Sequence, residues 1–237
     1  LTTDARRTEL QDNLNRTREA VAAACAAAGR TPGSVRLIAV TKTFPAADAA
    51  TLTELGQADL GENRDQEAAP KAAELAALGL EPVWHFVGQL QRNKARSVAE
   101  YAHWVHSVDR ARLATALDAA VAVSSHGRNL NALIQVSLDG DTARGGATLA
   151  EVEALAEHIA AARFLDLKGV MAVAPLGWEP AKAFALLNEC SELVRRVDPA
   201  AVEISAGMSG DFREAVACGA TMVRLGRNVL GEREAMA

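Results

Sequence analysis

The sequence lacks a basic block, a C-x-x-C pair and any apolar run long enough to cross a bilayer. Each absence excludes something. With a net charge of −5 and no positive patch, nucleic acid and acidic membrane surfaces are poor partners. The three cysteines, Cys25, Cys190 and Cys218, are odd in number and far apart. That suits a reduced, cytoplasmic setting in which each thiol acts as a small buried hydrophobe. The apolar stretch from Val21 to Ala28 is too short and alanine-rich to span a membrane. It follows Asp4, Glu9, Asp12 and Glu19, which is wrong for a signal peptide. The chain opens on Leu1 rather than methionine, so a few native residues are expected upstream. No linker and no residue-level repeat interrupts the text, and a single domain over residues 1–237 is expected. A chain of this length buries roughly 70–75% of its unfolded surface, so it needs no metal or disulfide staple.

What is present is alternation. Residues 4 to 28 carry Leu10, Leu14, Val21 and Cys25 on one helical face, with Gly29 as a C-cap. The first 30 residues are therefore expected to form a helix packed on the rest. Strands are predicted at 35–41, 58–61, 83–87, 104–108, 130–137, 166–173, 202–206 and 221–225. Helical patterns fill 46–56, 64–78, 92–101, 110–122, 148–162, 179–195 and 210–218. Eight short apolar strands alternating with helices call for parallel pairing with the helices outside. The count and length match an α/β fold of the (β/α)8 TIM barrel type, which runs to about 250 residues. A doubly wound open sheet shares the alternation, because strand count alone does not prove closure.

A parallel barrel does its chemistry at the C-terminal ends of its strands, and the unusual residues cluster there. Lys42 follows the first strand, Gly61-Glu62-Asn63 the second, and His85 precedes Gly88-Gln89-Leu90-Gln91 after the third. Ser205 to Asp211 follows the seventh, and Arg224 with Gly226 closes the eighth. Backed by Ile38 and Val40, Lys42 is either a solvated strand end or a desolvated amine with a lowered pKa, usable as a nucleophile. Gly207, Ser209 and Gly210 precede a helix, and Gly226 is followed by the amides of Arg227 and Asn228. They are two ordinary glycine turns or one anion site, and barrels recurrently bind phosphate after strands seven and eight. Arg224, buried in its strand, reaches the rim or pairs with Glu203 or Asp211. His103 and His106 flank Trp104 on a strand whose side chains alternate, which suits a packed histidine pair better than a metal site. No metal is expected. Lys94 and Arg96 form a solvated face or line the cleft.

The segments VTKTFP, LGENRDQEAAPK, WHFVGQLQRNKAR, VHSVDR and SAGMSGDFREAVACGATMVRLG carry a family resemblance. In that order they resemble the signature segments of the YggS/PROSC family of pyridoxal 5′-phosphate (PLP) homeostasis proteins, related to the barrel domain of alanine racemase. The likeness covers essentially the whole chain after residue 35. It implies that Lys42 forms the internal aldimine with PLP, and that Asn63 lines the ring. Ser209, Gly226 and Arg227 would hold the phosphate, and Arg224 would face the pyridine nitrogen. Met208 and the segment from Met171 to Ala174 would complete the ring pocket. Two positions depart from the family pattern. Arg227 stands where many relatives have threonine, removing a hydroxyl contact but leaving the backbone amide. Arg144, in DTARGG, stands in a loop where relatives often carry lysine, and it cannot form an imine.

The resemblance leaves two functions to compare: a PLP-binding protein of cofactor homeostasis with little or no turnover, and a racemase of the alanine racemase type. A racemase needs acid and base groups on both faces of the substrate carbon. In alanine racemases the second group is a tyrosine from a further β domain of a second subunit. This chain ends a dozen residues after its eighth strand, so no β domain is expected, and its single tyrosine, Tyr101, precedes the fourth strand. An arginine at the pyridine nitrogen also weakens the electron sink. The expectation is a PLP-binding protein without catalytic residues, monomeric, with PLP-dependent apo-enzymes as partners. A cofactor-free lysine aldolase would need Glu62 or Asp211 as its acid–base group.

Overall fold

The computed structural model describes residues 2–232, so residue 1 and residues 233–237 of the expected single domain lie outside it. Eight parallel strands close in sequence order: β1 (Arg36–Val40), β2 (Asp59–Glu62), β3 (Val83–Phe86), β4 (Trp104–Val108), β5 (Leu130–Gln135), β6 (Leu165–Met171), β7 (Glu203–Ser205) and β8 (Met222–Leu225). β1 pairs with both β2 and β8, which closes the barrel and disposes of the open-sheet alternative. The period of two along each strand sorts the side chains. Ile38, Trp104, Leu133, Met171 and Met222 pack together inside, whereas Ala39, Leu60, Val223 and Leu225 face the helical shell.

The shell comprises α1 (Asp4–Ala27), α2 (Ala46–Glu54), α3 (Asp65–Ala77), α4 (Ala95–Tyr101), α5 (Ala111–Val121), α6 (Val152–Ala160), α7 (Pro180–Val197), α8 (Phe212–Ala217) and α9 (Arg227–Leu230). Thr3 caps α1 by accepting from the Arg6 amide, and Leu10, Leu14, Val21 and Cys25 are buried as their spacing predicts. The helix also braces the last turn of the chain. The final carbonyls of a helix have no partner within it. Here Arg6 Nη2 donates to Leu230 O at 3.0 Å and Thr17 Oγ1 to Asn228 O at 3.0 Å. These bonds hold the short α9, which no sequence signal distinguished from a loop, against the upper mouth.

Among the described residues, no helix is long and apolar enough to cross a membrane. The three cysteines are free thiols. Burial raises the pKa of Cys190 to about 11, so it packs as a hydrophobe rather than acting as a nucleophile.

Candidate functional site

The strand ends converge on a cavity of about 840 Å³ at the upper mouth of the barrel. Lys42, Asn63, Met208, Ser209, Arg224, Gly226 and Arg227 all line it, so seven of the eight residues singled out in the sequence meet in one place. Met171 does not. It packs one layer below, in the barrel interior with Ile38 and Met222, while Val173 of the same expected segment lines the cavity wall. The inward face of β6 was legible in the sequence, but the depth along it was not.

Lys42 lies two residues past the end of β1, and apolar Val40 and Phe44 line the wall beside it. The next residue, Thr43, has φ of +67°, a left-handed conformation that a β-branched side chain adopts only under constraint. Its amide donates to Glu67 Oε2 at 2.9 Å. The strained turn thus fixes the backbone on which the lysine is mounted.

Gly207 lies at φ +90°, and a Cβ there would meet Ala215 Cβ at 2.7 Å and Phe212 Cα at 2.8 Å. Only glycine lets the loop after β7 lie this close to α8, and that packing presents Ser209 to the cavity. Gly226 opens α9 and sits against Val40 O, which an added Cβ would approach to 3.3 Å. Asn63, after β2, also lines the cavity; its Oδ1 is buried with no hydrogen-bond partner among the described residues.

Arg224 pairs with neither carboxylate proposed for it. Its guanidinium donates to Ser205 Oγ at 2.7 Å and to Ala172 O at 2.9 Å, while Glu203 accepts from Thr221. Burial lowers its pKa to about 10, with Asp211 opposing the shift, so the group stays cationic at neutral pH. Asp211 lines the cavity but its Oδ1 accepts from the Met208 amide at 2.6 Å. Glu62 faces α3, where it pairs with Lys71 and accepts from Thr41 Oγ1 at 2.6 Å. Burial raises its pKa, against the pull of Lys71, and it does not line the cavity. Glu62 is thus not placed as the acid–base group of an aldolase.

His85 lies below the rim, wholly buried in the barrel interior. His103 accepts from the Trp84 amide at 3.1 Å, so the packed histidine pair is not His103–His106 but His85–His106, across neighbouring strands. Lys94 lines an adjoining cavity of about 480 Å³ that shares Asn63, and Arg96 is exposed. Arg144 is held by Asp139 at 2.6 Å and Asp141 at 3.7 Å. The Tyr101 hydroxyl donates to Asp65 Oδ1 at 3.4 Å, between α3 and α4 and away from the cavity. No group of three or more His, Cys, Asp or Glu among the described residues could hold a metal ion.

The family model for the alanine racemase N-terminal domain matches residues 9–234. A pyridoxal phosphate homeostasis protein of Mycobacterium tuberculosis is 45% identical over 243 residues, covering 96% of this chain and 94% of the relative. The structure of PipY from Synechococcus elongatus with PLP bound superposes with a TM-score of 0.80 at 35% identity, covering 94% of this chain and 100% of that one. Alanine racemase from Corynebacterium glutamicum shares the fold at 15% identity and a TM-score of 0.68; the match covers 94% of this chain and 60% of that one.

Proposed function

The chain belongs to the YggS/PROSC family of pyridoxal phosphate homeostasis proteins, and from that premise we propose that it binds PLP at the upper mouth of its barrel and holds it with little or no turnover. The convergence of Lys42, Arg224, Ser209 and Gly226 on one cavity carries this reading. The residues present suit the group. PLP supplies an aldehyde that an amine can hold covalently and a ring that can withdraw electrons from an attached carbon.

Lys42 would hold that aldehyde, with apolar Val40 and Phe44 beside it in the cavity wall. The Ser209 hydroxyl and the amides at Gly226 and Arg227 would hold the phosphate. Arg227 here replaces a hydroxyl by an exposed guanidinium above the same backbone amide. Asn63 and Met208 would flank the ring, with Val173 representing the segment from Met171 to Ala174. Arg224, a cation with no proton to spare, would donate to the ring nitrogen and keep it unprotonated.

An unprotonated ring nitrogen is a weak electron sink, and the sole tyrosine is engaged outside the cavity. The racemase reading therefore lacks its second base. The barrel acts here as one cofactor-binding domain and a monomer, in a reducing cytoplasm consistent with three free thiols. PLP-dependent apo-enzymes are the partners that a homeostasis role calls for. PLP-loaded protein incubated with L-alanine should give no enantiomer exchange. Exchange at about 1 per second or faster, within the usual range of enzymes, would overturn the non-catalytic reading.

A further inference from the structure

An unbroken line of hydrogen bonds crosses the barrel interior from the upper cavity to the lower mouth. Arg224 Nη1 donates to Ser205 Oγ at 2.7 Å, and that oxygen lies 2.9 Å from His106 Nδ1. His106 Nε2 lies 2.9 Å from His85 Nδ1, and His85 Nε2 lies 2.9 Å from Asp59 Oδ1. Asp59 in turn lines a separate cavity of about 380 Å³ beneath α1. Ser205, His106 and His85 are wholly buried, in an interior otherwise filled by Ile38, Trp104, Leu133, Met171 and Met222.

The two ends fix the direction of the line. A guanidinium only donates and an ionised carboxylate only accepts. Ser205 therefore accepts from Arg224 and sends its own proton to His106 Nδ1. His106 carries its hydrogen on Nε2 and donates to His85, which carries its hydrogen on Nε2 and donates to Asp59. The opposite assignment sets two lone pairs face to face at Asp59 and leaves the serine proton without an acceptor. Both imidazoles must be neutral, and burial lowers the pKa of each. The charged groups facing them are Arg36 on β1, Asp59 on β2, Glu203 on β7 and Arg224 on β8.

We propose that Ser205, His106 and His85 are positioning residues for Arg224, anchoring its guanidinium through a one-way hydrogen-bond chain that ends on Asp59 at the lower mouth. An arginine held this way has its free N–H bonds aimed into the cavity and no route to give up a proton downward. This rests on the reading that PLP occupies the cavity, where Arg224 meets the ring nitrogen. The chain itself exists whether or not the cofactor is bound, so the two claims separate.

Two measurements on the full chain test it. The first is two-bond proton–nitrogen correlation of the imidazoles without added PLP, from about pH 8 to about pH 5.5, with His106 assigned by His106→Gln. His85 and His106 should both remain neutral with hydrogen on Nε2 throughout. A protonated ring or an Nδ1–H tautomer at either overturns the chain. The second is the visible absorption of PLP-loaded Ser205→Ala. Borohydride should still fix the cofactor on Lys42, while the pH midpoint of the band moves by roughly half a pH unit or more, the scale of one weakened bond to a charged group. Ser205→Thr, which keeps the hydroxyl, should restore the midpoint. A Ser205→Ala band that coincides with wild type overturns the positioning role. Absence of label at Lys42 in wild type overturns the PLP reading, and the tautomers then decide the chain alone.

Discussion

In the proposed function Ser209 and Lys42 divide the work of holding PLP, and single substitutions separate them. The phosphate is dianionic, and a charge-assisted hydrogen bond to it contributes roughly 1.5–3 kcal/mol. Ser209→Ala should therefore weaken PLP binding by about tenfold or more, and pyridoxal, which lacks the phosphate, should bind wild type far more weakly than PLP. Equal affinity for PLP and pyridoxal by titration would show that the loops after β7 and β8 do not form a phosphate site. The histidines make a second residue-level prediction. Burial lowers the pKa of His103 to about 4, and those of His85 and His106 also lie below the ordinary value. As pH falls through about 6.5, imidazoles of the unfolded chain take up protons while those of the folded chain do not. Stability should thus decline from about pH 6.5 downward, with the His103 share exhausted near its folded pKa of about 4. Glu62, raised by burial, pulls the other way. Urea midpoints should be lower at about pH 5 than at about pH 7.5; a higher midpoint at the acid end would mean that the three rings are not neutral and buried. At this scale the sequence revealed which residue types follow which strand, enough to single out Lys42, Ser209, Arg224 and Gly226. Height inside the barrel depends on strand register, which the sequence does not display. Met171 was consequently placed one layer too high, and the His85–His106 pairing went unread although each histidine sits in a predicted strand.

Among the elements, β6 shows what the barrel asks of one residue. Gly169 has φ of +144°, and a Cβ there would lie 1.9 Å from Glu203 O on the neighbouring strand. Opposite it the β5–β6 register shifts between Ala132 and Leu133. A glycine at a register irregularity lets β6 lie against β7 where any side chain would push the strands apart. Gly169→Ala should cost about 3 kcal/mol or more of unfolding free energy, at the upper end of single substitutions. A loss below about 1 kcal/mol in urea unfolding would mean that the close approach relaxes freely. Periodicity and turn residues placed all eight strands and most of the shell to within about two residues of the structure. They gave no sign of α9, whose few residues carry no periodic signal, nor of the irregularity in β6, which is set by the neighbouring strand.

For the molecule as a whole, closure of the sheet brings the ends of β1, β2, β7 and β8 around one cavity although Lys42 and Arg227 are far apart in sequence. α1 completes that arrangement by bonding the last carbonyls of α9. The central claim is that this cavity holds PLP on Lys42, and borohydride reduction followed by peptide mapping tests it most directly. PLP-loaded protein should show a visible absorption band that borohydride abolishes, with the cofactor fixed on the peptide containing AVTKTF and absent from Lys42→Ala. A cofactor fixed on Lys71, Lys94, Lys168 or Lys182 with Lys42 unmodified would contradict the account.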